Sequence, residues 1–199
     1  MKSVHVLVFD GFADWEPAHA LAELRRTGNV PVWTVGFTTD PVRSMGGLRV
    51  LPDAALESVD PSFVALFMLP GGDLWEHDYP RAEIESLLHR LVDARVPIAA
   101  ICGATLAVAR AGLLDSRRHT SNGAEYVAQH VPTYGGRDRY DTALAVRDDG
   151  LITASGLGSV EFAREIFEEL EVFPPAVRPV WYEAFKHGTL PQKAQASAR

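Results

Sequence analysis

The run Val96-Pro97-Ile98-Ala99-Ala100-Ile101 is apolar at every position, so a strand built from it is buried on both faces. A strand of that kind belongs in a mainly parallel sheet covered by helices on either side. Cys102 ends the run. Gly103 to Ala109 then favours helix and closes at Ala111-Gly112, with glycine as the cap. The thiol therefore sits at a strand-to-helix corner. Ala100, Gly103 and Ala104 are small and permit the tight turn of a nucleophile elbow, here with cysteine in place of serine. The first N–H groups of the helix and its positive end would aim at the sulfur and favour the thiolate. The ordinary reading of a lone cysteine is a buried structural thiol. The corner tips the reading towards a reactive site.

The rest of the chain repeats the strand-helix alternation. Val4 to Phe9 reads as a first buried strand, broken at Asp10-Gly11, and Asp14 can cap a helix that runs to Gly28. Val32 to Phe37 is a second strand, and Val42 to Leu51 reads as a hairpin about Gly46-Gly47. Phe63 to Leu69 is a third apolar strand, ended by Pro70-Gly71-Gly72. Ile84, Leu87, Leu88, Leu91 and Val92 follow helical spacing. Arg117 to Ser121 reads as a short strand and Gly123 to Gln129 as a short helix. Asp149-Gly150 joins two strand patterns in a hairpin. A final amphipathic helix carries Val160, Ala163, Ile166, Phe167 and Leu170, and a further helix spans Pro174 to His187. Residues 1–188 form one expected domain, with 189–199 a flexible tail. Ligands of such folds bind beyond the carboxyl ends of the strands, which gather the loops Asp10–Glu16, Pro70–Trp75 and the Cys102 corner.

Composition excludes several classes. Of 199 residues, 26 are acidic and 19 basic, a formal charge of −7, which argues against a nucleic-acid partner. No apolar stretch has transmembrane length, and the strand pattern starts at once, so neither a membrane span nor a signal peptide is expected. One cysteine forms no internal disulfide and no thiolate cage. The histidines lack ligand spacing, so no metal site and no cofactor are expected. A cytoplasmic location follows as the default.

Taken together, Val6 to Gly11 with Glu16, Leu69-Pro70-Gly71-Gly72-Asp73, Ala100-Ile101-Cys102-Gly103-Ala104, Gly112 to Asn122 and Leu151 to Gly156 resemble the DJ-1/PfpI family. The resemblance runs from Val4 to about Leu170. It implies a flavodoxin-like three-layer α/β/α sandwich with a nucleophile elbow, related to class I glutamine amidotransferase domains, and a homodimer. It matches Glu16 to the acidic residue that hydrogen-bonds the elbow cysteine, and Gly72 and Gly103 to backbone donors of an oxyanion pocket. The chain departs from many members in lacking a histidine beside the cysteine: Gly103 follows Cys102, and Asn122 stands at the end of the next strand. His119 lies three residues earlier, where an extended strand turns it to the opposite side. Asn122, His119, Asp14 and His19 complete the candidate pocket.

Two classes of function follow. In the first, Cys102 attacks a small electrophilic carbonyl or amide-like substrate, with Glu16 as proton donor and acceptor. In the second, a stress or redox protein senses an oxidant at Cys102 without turnover. A ligand-binding module that keeps the pocket without chemistry is a third, weaker reading.

Overall fold

The computed structural model describes residues 2–27 and 30–189. In chain order the elements are β1 (Ser3–Leu7), α1 (Trp15–Thr27), β2 (Val32–Gly36), β3 (Val42–Arg43), β4 (Arg49–Val50), β5 (Ala54–Ala55) and β6 (Val64–Leu69). There follow α2 (Arg81–Asp93), β7 (Ile98–Ile101), α3 (Ala104–Arg110), α4 (Ala124–His130), β8 (Ala145–Asp148), β9 (Leu151–Ala154), α5 (Ser159–Glu169) and α6 (Arg178–His187). Seven strands form one sheet in the order β5-β2-β1-β6-β7-β9-β8. Neighbours run parallel except β8, which pairs antiparallel with β9.

The strand period of two divides the apolar side chains between two cores. Val4 and Val6 of β1, Leu66 and Met68 of β6, and Ala99 and Ile101 of β7 face one side. There they meet Ala20 and Leu24 of α1, Phe162 and Ile166 of α5, and Trp181 of α6. Leu7, Phe67, Leu69, Ile98 and Ala100 face the other side and pack on α2, α3 and α4. The result is the expected α/β/α sandwich. Each fully buried leucine or phenylalanine contributes about 1.5–3 kcal/mol to this arrangement.

The hairpin around Gly46-Gly47 forms as β3–β4, separate from the main sheet. The Asp149-Gly150 turn has φ of 44° and 72°, the backbone of a two-residue primed turn. Arg117 to Ser121 is not a strand. Only His119 bridges to Tyr140, and the Thr120 N–H donates to the Thr153 hydroxyl instead of a neighbouring backbone. The last helix starts at Arg178, because Pro174 and Pro175 have no N–H to enter a helical ladder. The helix stop expected at Gly28 and the tail after Thr189 lie outside the described residues.

Candidate active site

The carboxyl ends of β1, β6 and β7 lie side by side, so the loops that follow them converge. Cys102 stands at the end of β7 with φ of 59°, the left-handed region that a non-glycine residue enters at a cost of about 1–2 kcal/mol. Its N–H donates to the Ala154 carbonyl at 2.9 Å, and its own carbonyl accepts from the Thr105 N–H and hydroxyl at 3.2 and 2.6 Å. The Thr105 hydroxyl is tied in turn to Ser121 Oγ at 2.6 Å. These bonds hold the elbow in its strained turn.

Two glycines make room for the thiol. A Cβ on Gly71 would lie 2.6 Å from Cys102 Cβ and from Glu16 Oε2, and one on Gly156 would lie 2.9 Å from Sγ. Gly72 and Gly103 adjoin each other: a Cβ on Gly103 would meet the Gly72 carbonyl at 3.0 Å. Gly72 has φ of 154° and accepts from the Trp75 N–H, and the close approach of the Gly11 carbonyl and the Phe9 ring leaves no space for a side chain there.

Glu16 enters from the first turn of α1 and is 1% exposed. Its carboxyl accepts from the Gly71 N–H at 2.5 Å and lies beside the Cys102 side chain, both bordering the space a Cβ on Gly71 or Gly156 would fill. Burial raises its pKa, while the bonds from Gly71 and Cys102 pull it back. On the other side of the sulfur, Asn122 Nδ2 donates to Sγ at 3.2 Å while its Oδ1 accepts from the Gly156 N–H at 3.0 Å. The amide orientation follows, because only its oxygen can accept from Gly156.

Burial and the Glu16 charge push the Cys102 thiol up to about 11, against the donors Asn122 and Gly103. This corrects the expectation of a depressed thiol. The α3 end does supply a donor, but a half-buried sulfur beside a carboxylate costs more to ionise than one N–H returns.

The structure draws three of the candidates away from the sulfur. His119 is fully buried, with Nδ1 on the Arg117 carbonyl at 2.7 Å and Nε2 on the Tyr134 hydroxyl at 2.5 Å. A carbonyl only accepts, so the neutral ring carries its proton on Nδ1 and takes the Tyr134 hydrogen at Nε2; burial lowers its pKa and keeps it neutral. The Tyr134 and Tyr140 rings complete its surroundings. His19 turns outward from α1 and stacks edge-on against Trp181 and Phe185 of α6. The Asp14 carboxylate accepts from Ser44 Oγ and the Gly46 N–H, clamping the β3–β4 turn instead of capping α1. Among the described residues no histidine is hydrogen-bonded to Cys102 or Glu16, and no group of three or more acidic, histidine or cysteine side chains is arranged to hold a metal.

Sequence reasoning missed Gly71 as the Glu16 donor, although the Pro70-Gly71-Gly72 break marked the segment. It also missed Gly156 against the sulfur and Tyr126, whose phenol donates to Glu76 beside the site. No local pattern distinguishes Tyr126 from any other helical tyrosine.

The DJ-1/PfpI family model matches residues 2–169. The chain is similar to the uncharacterized protease YoaZ of Bacillus subtilis, 36% identical over 195 residues, covering 93% of this chain and 91% of that one. It is 30% identical over 145 residues to the glutathione-independent glyoxalase DJR-1.2 of Caenorhabditis elegans, covering 72% and 75%. Among solved structures, the DJ-1 superfamily protein Atu0886 of Agrobacterium tumefaciens superposes with a TM-score of 0.86 at 33% identity, covering 94% and 100%.

Proposed function

The chain belongs to the DJ-1/PfpI family, and from that premise we propose that it is a cysteine-dependent enzyme that adds the Cys102 sulfur to a small electrophilic carbonyl. The observation that carries this reading is the buried Glu16 carboxyl set beside the Cys102 sulfur, the two lying 3.2 and 2.9 Å from a Cβ placed on Gly156. As the C–S bond forms, the thiol proton passes to Glu16 and the carbonyl π electrons move to oxygen. Glu16 then returns the same proton to that oxygen, giving a hemithioacetal with no net change in charge. The raised thiol makes this assistance necessary, since little free thiolate is present at neutral pH. Positioned acid-base catalysis of this kind supplies about 10²- to 10⁴-fold. The backbones of Gly72 and Gly103 close on the place where the oxyanion develops and serve as its donors.

Addition to a carbonyl suits the site better than amide hydrolysis. A departing amine needs a proton donor of its own, and no histidine stands beside the pair to provide one; addition to an aldehyde has no leaving group. The relative DJR-1.2 bears the name of a glyoxalase, in keeping with a carbonyl substrate. A thiol held protonated is also a poor spontaneous target for peroxide, which weighs against the redox reading. No described helix is long and apolar enough to cross a membrane. The apolar side chains of Trp15, Met45, Leu48 and Leu157 stand exposed around the site on neighbours of Glu16, Asp14 and Gly156, and a second copy of the chain would cover them.

The test offers small aldehydes and α-oxoaldehydes to the purified protein, following substrate loss and the mass of Cys102. Adduct and turnover are expected in the wild type and neither in Cys102→Ala. Turnover that survives Cys102→Ala would overturn the reading.

A further inference from the structure

Ser3 and His5 of β1 and Trp33 of β2 lie towards the amino ends of their strands, whereas Cys102 stands at the carboxyl end of β7. Together with Val59, Asp60 and Phe63 they line a cavity of about 330 Å³, a size that suits a small organic molecule and that the proposed reaction does not use. His5 and Trp33 are register partners on adjacent strands, with their rings stacked at 6.4 Å between centroids. Trp33 and Phe63 are 47% and 62% exposed, so two aromatic side chains of the wall still face solvent.

The closed end of the cavity holds an unsatisfied atom. His5 is 8% exposed, and its Nε2 lies 3.0 Å from Ser3 Oγ, but its Nδ1 is buried without a hydrogen-bond partner. Buried polar atoms are matched in nearly all native folds, so an orphan beside a cavity marks a place where something else binds. Burial keeps the ring neutral, with a single hydrogen. With that hydrogen on Nε2 and donated to Ser3 Oγ, Nδ1 is a bare acceptor. At the open end, Asp60 carries the only formal charge among the lining residues. Its Oδ1 accepts from the Ser62 N–H at 2.9 Å, which holds the carboxyl below its usual range and keeps it ionised. Arg90 reaches the same loop from α2, but its guanidinium donates to the Val59 carbonyl at 3.1 Å and does not line the cavity.

We propose that this cavity is a second binding site, for an aromatic amine whose ring carries an N–H. The ring lies against Trp33 and Phe63, the ring N–H donates to His5 Nδ1, and the ammonium arm meets the Asp60 carboxylate. Each part of the ligand answers one feature of the site. A flat ring gains from aromatic walls. A neutral N–H satisfies Nδ1 at the dry end, where a charge is penalised. A cation belongs at the wet end, where a carboxylate and the face of an indole both attract it. An anion is repelled there, and also by the formal charge of −7 on the whole chain.

The experiment titrates the full chain with tryptamine by isothermal calorimetry. It compares wild type, Cys102→Ala, Asp60→Asn and Phe63→Ala. Saturable binding at one site per chain is expected, unchanged in Cys102→Ala. Asp60→Asn keeps an acceptor for the Ser62 N–H but removes the charge, and is expected to weaken binding roughly two- to fivefold. Phe63→Ala removes an exposed ring without opening the core and should weaken it roughly three- to tenfold. The benzofuran analogue of tryptamine has a ring oxygen in place of the N–H. It is expected to bind roughly three- to tenfold more weakly than tryptamine, and indole-3-acetate, with a carboxylate for the amine, more weakly still. No saturable binding of tryptamine at millimolar concentration would overturn the proposal. Binding lost in Cys102→Ala would do so too, because it places the amine at the elbow. Equal affinity for tryptamine and its benzofuran analogue, or for tryptamine and indole-3-acetate, would remove His5 Nδ1 or Asp60 from the site, and wild-type affinity in both Asp60→Asn and Phe63→Ala would exclude the cavity.

Discussion

Glu16 and Cys102 share one problem of charge in a confined space. Burial raises the thiol most and the Glu16 charge adds to it, so Glu16→Gln is expected to lower the apparent pKa of Cys102 alkylation from near 11 by removing the charge, while burial still holds it above the free value of about 8.5. The same variant lacks the base and should lose turnover by about 10²-fold or more. A more reactive thiol with less catalysis is the signature; a thiol pKa unchanged from the wild type would exclude the coupling. Stability follows with its own sign. Burial raises the Glu16 pKa, so the folded state binds this proton more tightly than the unfolded chain does, and its stability contribution falls as pH rises from the unfolded value through the raised one. Glu16→Gln is therefore expected to raise Tm by a few degrees, on the order of 1 kcal/mol, at pH 8 and by little at pH 4, in paired thermal melts. His119 is expected to behave oppositely. Its ring ties the Arg117 carbonyl to Tyr134, so His119→Ala should cost about 2–3 kcal/mol in denaturant melts while leaving the Cys102 alkylation profile unchanged. At this scale the Cys102 corner was legible because a strand run and small residues flank it. Glu16 was legible only by resemblance, since an acid in a first helical turn has an ordinary explanation. The proton affinity of the thiol was not legible, because it depends on burial and on a charge from a distant loop.

Elements hold these residues through their ends. At Gly71 and Gly156 the loops after β6 and β9 pass so close to the elbow that a methyl group has nowhere to go. Gly156→Ala is expected to fold, because its neighbour is a movable sulfur, but to slow alkylation of Cys102 by at least about tenfold as Sγ is displaced; unaltered kinetics would refute the close approach. The β8–β9 turn makes a separate prediction. Gly150 has φ of 72° and nothing near its missing Cβ, so Gly150→Ala should cost about 1 kcal/mol through backbone strain alone, read as a shifted denaturation midpoint. Periodicity located most elements, including α2, α5 and both hairpins, because each pattern is complete within its own segment. It misassigned Arg117 to Ser121, whose N–H groups donate to the Asp148 carboxylate, the Arg139 carbonyl and the Thr153 hydroxyl, while the His119 carbonyl accepts from the Asp141 N–H.

The whole molecule exposes apolar side chains on several loops and helix starts, with Trp15 next to Glu16 at 50%, Leu48 in the β3–β4 turn at 60% and Leu157 next to Gly156 at 85% exposure. If a second copy covers them, the wild type sediments as a dimer, and Leu48→Glu/Leu157→Glu shifts it to monomer without lowering the intrinsic reactivity of Cys102. A wild type that remains monomeric at high concentration would exclude this assembly. The α/β class, the order of the elements and the strand-to-helix corner at Cys102 are written locally along the chain, because hydrophobic period, glycine breaks and small residues are properties of short segments. Only the tertiary structure decided that β1, β6 and β7 are neighbours, which brings Glu16 to Gly71 across 55 residues of sequence and both to the elbow. It alone turned His119 inward, set Asn122 on the sulfur and raised the thiol. Strand adjacency, burial and electrostatic contact are non-local, so no window of sequence contains them.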